Sequence, residues 1–407
     1  MIQRPRGTRD FFPDELEERR GVEETLRRAV SRWGYREVAT PEFEHLELFT
    51  IRSGEGIIGE MYAFQDKGGR DLSLRPELTA PVLRMYVNEA KVLNRPVRWY
   101  YFGDCFRYER PQKGRYRQFW QFGIELIGAD TAQADAEVIA VGSDLLTSAG
   151  VRFELRVGHL AMMKSLIADL GADHQKQVMG CLDKRDYGAL QTVLPEGDLA
   201  ERLTALIESR TLDDAFAITG SIPEEERIRE TFALLDAHEV AYTQYFGIAR
   251  GLDYYTGCVF EAFAENLGAE NQIMGGGAYR LAHLFGGEDT PSCGFAIGFD
   301  RVMVSRGEQG VLRPVTVALV VTPEGRLAGI GAAASFRRAG VRTLADLTGK
   351  SLSAQLSYAA KHADFAVVIG GREAESGMVT LRNLGSGDQE TVSVDEAVLR
   401  VVNGGSR

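Results

Sequence analysis

The residues best suited to chemistry fall in one stretch, Asp104 to Gly128, DCFRYERPQKGRYRQFWQFGIELIG. Its ends read as two strands. Trp99 to Arg107 is aromatic-rich, and Gln118 to Ile127 alternates with a period of two. On the second strand Trp120, Phe122, Ile124 and Leu126 share one face, while Phe119, Gln121, Gly123 and Glu125 share the other. The turn between them holds four cations in eight residues (Arg110, Lys113, Arg115 and Arg117), together with Pro111 and Gly114. An antiparallel hairpin of this kind carries a basic loop and a face holding a glutamine and a glutamate. That face is either solvated or the floor of a small polar site. The aromatic Phe119 beside Gln121 and Glu125 favours the second reading.

Other stretches could complete such a site. In DLSLRPELT, Asp71 to Thr79, Leu72 and Leu74 alternate with polar residues, Pro76 stops the strand, and a helix follows from Ala80. Thr79 is either the N-cap of that helix or, with Glu77, part of a pair able to satisfy an ammonium group in a closed pocket. In ARGLDYYTGCVFEAF, Ala249 to Phe263, Arg250 and the adjacent Tyr254 and Tyr255 precede a strand that resumes at Cys258. Gly275, Gly276 and Gly277 run into Ala278, Tyr279 and Arg280, and backbone without side chains there lets a ligand approach closely. A buried strand, Phe295 to Ile297, passes through Gly298 into a helix carrying Arg301. Two glycine patterns carry less. Gly54, Gly56 and Gly59 spell GxGxxG without an apolar strand before them and read as a mobile loop; Gly349-Lys350-Ser351 lacks the first P-loop glycine, which Leu344 replaces.

The run FRYERPQKGRYRQFWQ resembles motif 2 of the class II aminoacyl-tRNA synthetases, and in detail that of the histidyl-tRNA synthetases. RPELT is similar to their RPEGT segment, with Leu78 at the usual glycine position. RGLDYYTG matches their histidine-pocket signature, GFAIGFDRVMV resembles motif 3, and PRGTRDFFP resembles their N-terminal segment. The resemblance implies a histidine–tRNA ligase, which joins L-histidine to ATP as histidyl-adenylate, releases pyrophosphate, and passes histidine to the 3′ end of tRNA(His). It implies that Arg107 and Arg250 are catalytic, holding the histidine carboxylate and the α-phosphate. Glu77, Thr79 and Gln121 would take the ammonium group. Glu125 and Tyr255 would bond the imidazole nitrogens, with Tyr254 and Tyr279 lining the pocket. Arg107, Glu109 and Arg301 would bind ATP, which carries Mg²⁺ on its β- and γ-phosphates, and no Walker motif is involved. Arg110 and Gln112 would touch the acceptor end of the tRNA. The family has Arg-Tyr-Asp after the glycines, so no role passes to Ala278 or Arg280. The alternative is a regulatory paralogue serving the first enzyme of histidine biosynthesis; such paralogues typically lack the tail domain and erode these residues.

The elements that must position these groups read as follows. Pro13 and Asp14 open a helix with Val22, Leu26, Ala29, Val30 and Trp33 at helical spacing, and Gly34 ends it. Tyr35 to Thr40 then forms a strand running into Pro41, a pattern similar to motif 1, which implies a homodimer interface. Asp130 to Ala149 is an alanine-rich helix and Val151 to Val157 a strand. Helices fill about 160–238, one of them with Ser221 and Glu224 at capping-box spacing. Ser305 to Arg313 is a linker. The tail alternates apolar strands and helices: strands in VTVALVVT, FAVVIGG and MVTLRNL, helices in GRLAGIGAAASFRRAG and SLSAQLSYAAKHAD. The expected fold is an α+β catalytic core over 1–312, with an antiparallel sheet, helices and a helical insertion. An α/β domain over 314–407, resembling the class IIa anticodon-binding domain, follows it.

Composition agrees with that plan. With 407 residues, 44% of them hydrophobic, the chain can bury a large core in two or three domains. No apolar run reaches membrane-spanning length, and the basic N-terminus lacks the apolar core of a signal peptide. Cys105, Cys181, Cys258 and Cys293 are far apart, as free thiols of a reducing cytoplasm are. The six histidines are scattered and form no HExxH, so no protein-bound zinc is expected. The net charge of −11 argues against a general nucleic-acid coat. From Pro314 onward, ten cations against nine carboxylates leave +1, and the preceding part carries −12. RNA would therefore meet a near-neutral tail and a basic hairpin loop on an acidic body.

Overall fold

The computed structural model describes residues 2–53, 55–89, 92–109, 115–183, 186–194, 197–248, 255–267, 271–307 and 314–404. Arg110, Gln112, Arg250 and Tyr254 lie outside the described residues. The chain divides into two compact units, Met1–Gln309 and Gly310–Arg407. No helix among the described residues is long and apolar enough to cross a membrane.

The first unit opens with α1 (Pro13–Arg32), which starts on a proline, carries Asp14 and Glu15 in its first turn, and buries Val22, Leu26, Ala29 and Val30. Gly34, at φ 78°, turns the chain away from it. β1 (Arg36–Glu37), β2 (Phe43–His45), α2 (Glu47–Ser53), β3 (Ala63–Gln65), β4 (Asp71–Leu74) and α3 (Thr79–Glu89) follow. The long hairpin β5 (Val97–Phe106) and β6 (Gln118–Ile127) comes next, then α4 (Ala132–Ser148) and β7 (Glu154–His159). Among the described residues six helices then run in succession: α5 (Leu160–Leu166), α6 (Ala172–Asp183), α7 (Tyr187–Val193), α8 (Leu199–Glu208), α9 (Leu212–Thr219) and α10 (Glu225–Ala237). β8 (Thr243–Gln244), β9 (Tyr255–Phe263), β10 (Gln272–Tyr279), β11 (Ser292–Gly298) and α11 (Phe299–Arg306) complete the unit.

Eight strands form one sheet in the order β1-β5-β6-β11-β10-β9-β7-β8, antiparallel except where β1 meets β5 and β7 meets β8. The period-two pattern of β6 sets its two faces. Phe122, Ile124 and Leu126 join Val22, Leu26, Val138, Ile139 and Phe295 in the main core, so α1 and α4 cover that side. The opposite face, carrying Gln121, Gly123 and Glu125, is left for other work. Beside it stands a small sheet, β2-β4-β3.

Four local expectations need correction. The strand before Pro41 shrinks to Arg36–Glu37, which pair with Trp99 and Tyr100 of β5, and past them the Val38 amide still bonds the Tyr100 carbonyl. The strand expected at Val151 starts at Glu154. The amides of Gly150 and Val151 bond back to Thr147 and Leu146, and Gly150 has φ 73°, so these residues finish α4 instead. The segment read as a mobile loop is helical on both sides of Gly54, which lies outside the described residues: α2 ends at Ser53 and a 3₁₀ turn covers Glu55–Glu60. Leu48, Phe49 and Met61 anchor it on Ala80. The capping box at Ser221 and Glu224 does not form: Glu224 is itself the N-cap and α10 starts one residue later.

The second unit is a five-stranded sheet of order β13-β12-β14-β15-β16, parallel over its first three strands. Its elements are β12 (Thr316–Val321), α12 (Arg326–Arg338), β13 (Arg342–Ala345), α13 (Leu352–His362), β14 (Phe365–Ile369), α14 (Gly371–Ser376), β15 (Met378–Asn383), β16 (Gln389–Ser393) and α15 (Val394–Gly404). The sequence reading found three of these strands and two of the helices. β13 and β16 escaped it because they are edge strands with little apolar content; β16 buries only Val392.

Candidate active site

The polar face of β6 is built around Glu125, whose side chain is buried at 1% exposure. A lone buried carboxylate is costly, and here two phenols satisfy it. The Tyr101 hydroxyl donates to Oε1 at 3.1 Å and the Tyr279 hydroxyl donates to Oε2. Burial nevertheless dominates and pushes the Glu125 carboxyl up to about 8, the tyrosine bonds working in the other direction. The same burial raises both tyrosines well above the ordinary phenol range.

Two glycines make room for this triad. A Cβ on Gly123, which pairs with Tyr101 across the hairpin, would stand 2.4 Å from the Tyr101 hydroxyl. One on Gly294, which pairs with Glu125, would stand 2.0 Å from Oε2. The sheet can therefore lay a tyrosine and a carboxylate flat across its neighbours. Gly276 and Gly277 of β10 behave differently from expectation. A Cβ on Gly277 would meet the Tyr255 ring at 2.9 Å, and one on Gly276 would meet Phe295 and Phe260. Their space is taken by the protein's own side chains, not left open for a ligand.

Thr79 joins the cluster through Tyr101, its hydroxyl 3.4 Å from the phenol. It does not cap α3. That task falls to Glu77, whose carboxylate accepts from the amides of Thr79 at 2.7 Å and Ala80 at 3.1 Å. This holds the carboxylate at the helix N-terminus beside Thr79. Arg75, expected only as part of the same segment, is a buried tie. It donates to the carbonyls of Thr40, Pro41 and Asp104 and pairs with the Asp104 carboxylate. Leu78 fills the apolar pocket of Val82, Tyr101 and Cys105, so the residue at the usual glycine position serves packing.

Along β6, Gln121 accepts from the Cys105 thiol at 3.3 Å. Arg107, just past β5, donates Nε to the Pro76 carbonyl at 2.8 Å and lies over the Phe119 ring at 5.1 Å. Its guanidinium is thus fixed on one edge and one face while staying about a third exposed. Glu109 stands 3.9 Å from Arg107 and pairs with Arg115. Tyr255 is buried edge-on to Tyr279, ring centres 6.4 Å apart, and its carbonyl accepts from Lys164 of α5. Arg301, half-buried on α11, donates to the carbonyl of Gln272 at the start of β10. The structure thus gathers Glu77, Thr79, Gln121, Glu125, Tyr255 and Tyr279 around one face. Arg107 and Glu109 stand at the hairpin end, and Arg301 is attached from α11.

Sequence reasoning missed Tyr101. Its signal was present, a tyrosine directly across the hairpin from a glycine on the polar face. The residues that depart from the family pattern have ordinary tasks. Ala278 packs in the main core. Arg280 pairs with Asp130 and with Asp289, and Arg227 of α10 shares Asp130 while bonding buried Asp135 at 2.9 Å. Among the described residues no group of three His, Cys, Asp or Glu could hold a metal ion, and all four cysteines are free.

Comparison with known proteins follows the same outline. Residues 7–302 match the family described as histidyl-tRNA synthetase, and residues 319–403 the family described as anticodon binding domain. Proteins named histidine–tRNA ligase from Methanoregula boonei and Methanoculleus marisnigri are each 62% identical, with all of this chain and all of each relative covered. The apo histidyl-tRNA synthetase of S. aureus superposes with a TM-score of 0.78 at 27% identity, over 98% of this chain and 100% of that one. The first unit's antiparallel sheet with its polar Glu125 face, the second unit's α/β sheet, and full-length relatives agree: the chain belongs to the histidyl-tRNA synthetase family.

Proposed function

We propose that the chain is a histidine–tRNA ligase of the cytoplasm, using L-histidine, ATP with Mg²⁺, and tRNA(His). The observation that carries the reading is Glu125, a buried carboxylate bonded by Tyr101 and Tyr279 on the strand that also presents Gln121. Such a group suits an imidazole, whose two nitrogens need one firm acceptor and one adjustable partner. Glu125 takes the first role and Tyr255 the second, with Tyr254 and Tyr279 closing the pocket. Glu77, Thr79 and Gln121 receive the ammonium group.

In the first step the histidine carboxylate oxygen attacks the α-phosphorus of ATP, the bond to the bridging oxygen breaks, and pyrophosphate leaves. Charge repulsion and orientation make most of the barrier, so fixed cations lower it without covalent help. Arg107, braced by Pro76 and Phe119, holds the carboxylate and the α-phosphate from the hairpin side. Arg250 acts on the same phosphate, Glu109 contributes to the ATP site, and Arg301 clamps the adenine end. In the second step the terminal ribose hydroxyl of tRNA(His) attacks the adenylate carbonyl and AMP departs. Arg110 and Gln112 meet the acceptor end.

The domains divide the labour, 1–312 for catalysis with its insertion at about 160–238, and 314–407 for the anticodon. A homodimer formed through the motif 1 region is part of the reading. Phe43 on β2 and Phe64 on β3, 55% and 43% exposed, are apolar surface that a second copy would cover. The test is charging. With ATP, Mg²⁺, labelled histidine and a tRNA(His) transcript, the purified chain should esterify the transcript's 3′ terminus. Folded protein that forms no histidyl-tRNA under these conditions would overturn the proposal.

A further inference from the structure

We propose that Glu261 and Gln272 are positioning residues that hold Arg301 in the orientation needed to clamp ATP. This rests on the reading of Arg301 as the residue at the adenine end of that site. Glu261 is buried on β9. Its carboxylate accepts from Nε2 of Gln272, on β10, at 3.1 Å. The same Nε2 donates to the Met274 carbonyl at 3.3 Å, and the Gln272 carbonyl accepts from Nη1 of Arg301. One residue thus ties a buried carboxylate, through its side chain, to the backbone oxygen that holds the guanidinium.

A β-bulge makes this tie possible. In a regular strand Gln272 and Met274 would point to the same face, and Met274 lies in the main core. The register departs from that rule. Gln272 pairs with Phe263 and Met274 with Ala262, so β10 advances by two residues while β9 advances by one. Ile273 and Met274 both enter the core, and Gln272 is turned to the opposite face. Glu261 is on that face: it alternates with Phe260 and Ala262 of the core and follows Tyr255 and Val259. The row through Glu261 runs by Gly275 and Ala296 to Gly123 on β6, the strand that presents Gln121 and Glu125. Bulges beside functional sites re-aim single side chains, and this one aims Gln272.

The neighbours of the tie are fixed as well. Arg156 on β7 stands in register with Glu261, so the buried carboxylate has a cation on the adjoining strand. The Arg301 stem passes over Gly298, where a Cβ would lie 3.4 Å from its Cδ. Stem and head of the arginine are therefore both held, one by Gly298 and the other by the Gln272 carbonyl. An arginine ordered before ATP arrives spares binding the entropy of ordering it.

The experiment follows histidine-dependent ATP–pyrophosphate exchange in the full chain. Glu261→Ala should raise KM for ATP about tenfold, the scale of one hydrogen bond to a charged group, with KM for histidine nearly unchanged. Gln272→Leu keeps the carbonyl that Arg301 bonds but loses the side-chain tie, and should show the same split. Combining the two should cost no more than either alone, because they break one connection. Glu261→Gln keeps an acceptor oxygen for Gln272 and should stay close to the parent. In an Arg301→Ala background, itself weaker for ATP, Glu261→Ala should add nothing further. Gln272→Leu decides the case should Glu261→Ala not fold. A parent-like KM for ATP in Gln272→Leu, or an equal rise in KM for ATP and histidine, would overturn the proposal. So would an undiminished effect of Glu261→Ala in the Arg301→Ala background. Glu261→Gln as impaired as alanine and rescued by excess Mg²⁺ would also overturn it, marking Glu261 as a direct metal ligand. A folded parent chain without histidine-dependent exchange would overturn the ligase reading itself, and this proposal with it.

Discussion

Glu125→Ala is expected to lower kcat/KM for histidine by about 10³-fold, within the range for truncating one partner of a buried charged hydrogen bond. The substitution removes the acceptor for an imidazole N–H and orphans the hydroxyls of Tyr101 and Tyr279. ATP binding should be little altered. Glu125→Gln is the sharper variant, since it keeps the shape and one acceptor oxygen but cannot take up the charge that an imidazole N–H donor favours. Its kcat/KM should fall much closer to alanine than to the parent. Its stability should move the other way. The carboxyl has an ordinary value of 4.5 and is pushed up to about 8 in the fold, chiefly by burial. Between those values the folded chain binds more protons than the unfolded one, so the parent loses stability as pH rises through the window. Glutamine does not titrate. Its advantage over the parent should be absent near pH 4.5 and reach roughly a few kcal/mol by pH 8. Urea unfolding of both proteins at pH 5 and pH 8 measures this. A pH-independent difference, or near-normal histidine use by both variants, would remove Glu125 from the site.

Asp300→Ala should cost about 3–5 kcal/mol of stability, the usual result of breaking a buried ion pair on one side. Asp300 bonds Arg19 of α1 at 2.8 Å and accepts the amide of Trp120 on β6 at 2.8 Å. Arg19 is buried, with its guanidinium 4.3 Å from the Phe11 ring centre and 4.9 Å from those of Trp120 and Phe299. One carboxylate therefore ties the first helix, the hairpin strand and the motif 3 helix together, one residue before Arg301. Its loss leaves a buried cation and an unpaired amide, and adenylation should fall with it because the helix that carries Arg301 loses its tie to α1 and β6. Replacing both charges, Arg19→Met with Asp300→Leu, should recover much of the stability, since no charge is then stranded. Unfolding midpoints in urea read both effects. A loss below about 1 kcal/mol in the single variant would show that the pair is a surface-like contact.

Much of this was legible in the sequence, for identifiable reasons. The period-two pattern of Gln118 to Ile127 put Gln121 and Glu125 on the face opposite the core because strand alternation is strict, and one buried face then fixes the register. Pro13 and Gly34 bracketed α1 because each has a backbone preference that acts locally. What depends on contacts between distant segments stayed hidden. Tyr101 became a partner of Glu125 only once β5 paired with β6 in register. Glu77, not Thr79, caps α3, because a longer side chain can fold back onto amides two and three residues ahead. The pair of Arg19 with Asp300 spans most of the first unit and has no local signature. Gly276 and Gly277 looked like space for a ligand, and only the packing of Tyr255, Phe260 and Phe295 shows that the space is filled.

The central claim is that this buried face selects histidine for activation. It is tested most directly by ATP–pyrophosphate exchange with each of the twenty amino acids in turn. A site that pairs both imidazole nitrogens leaves its own buried groups unsatisfied with any other side chain, and such sites discriminate by roughly 10⁴ to 10⁵. Histidine alone should support exchange. Exchange driven by a different amino acid, or by none in properly folded protein, would contradict the account.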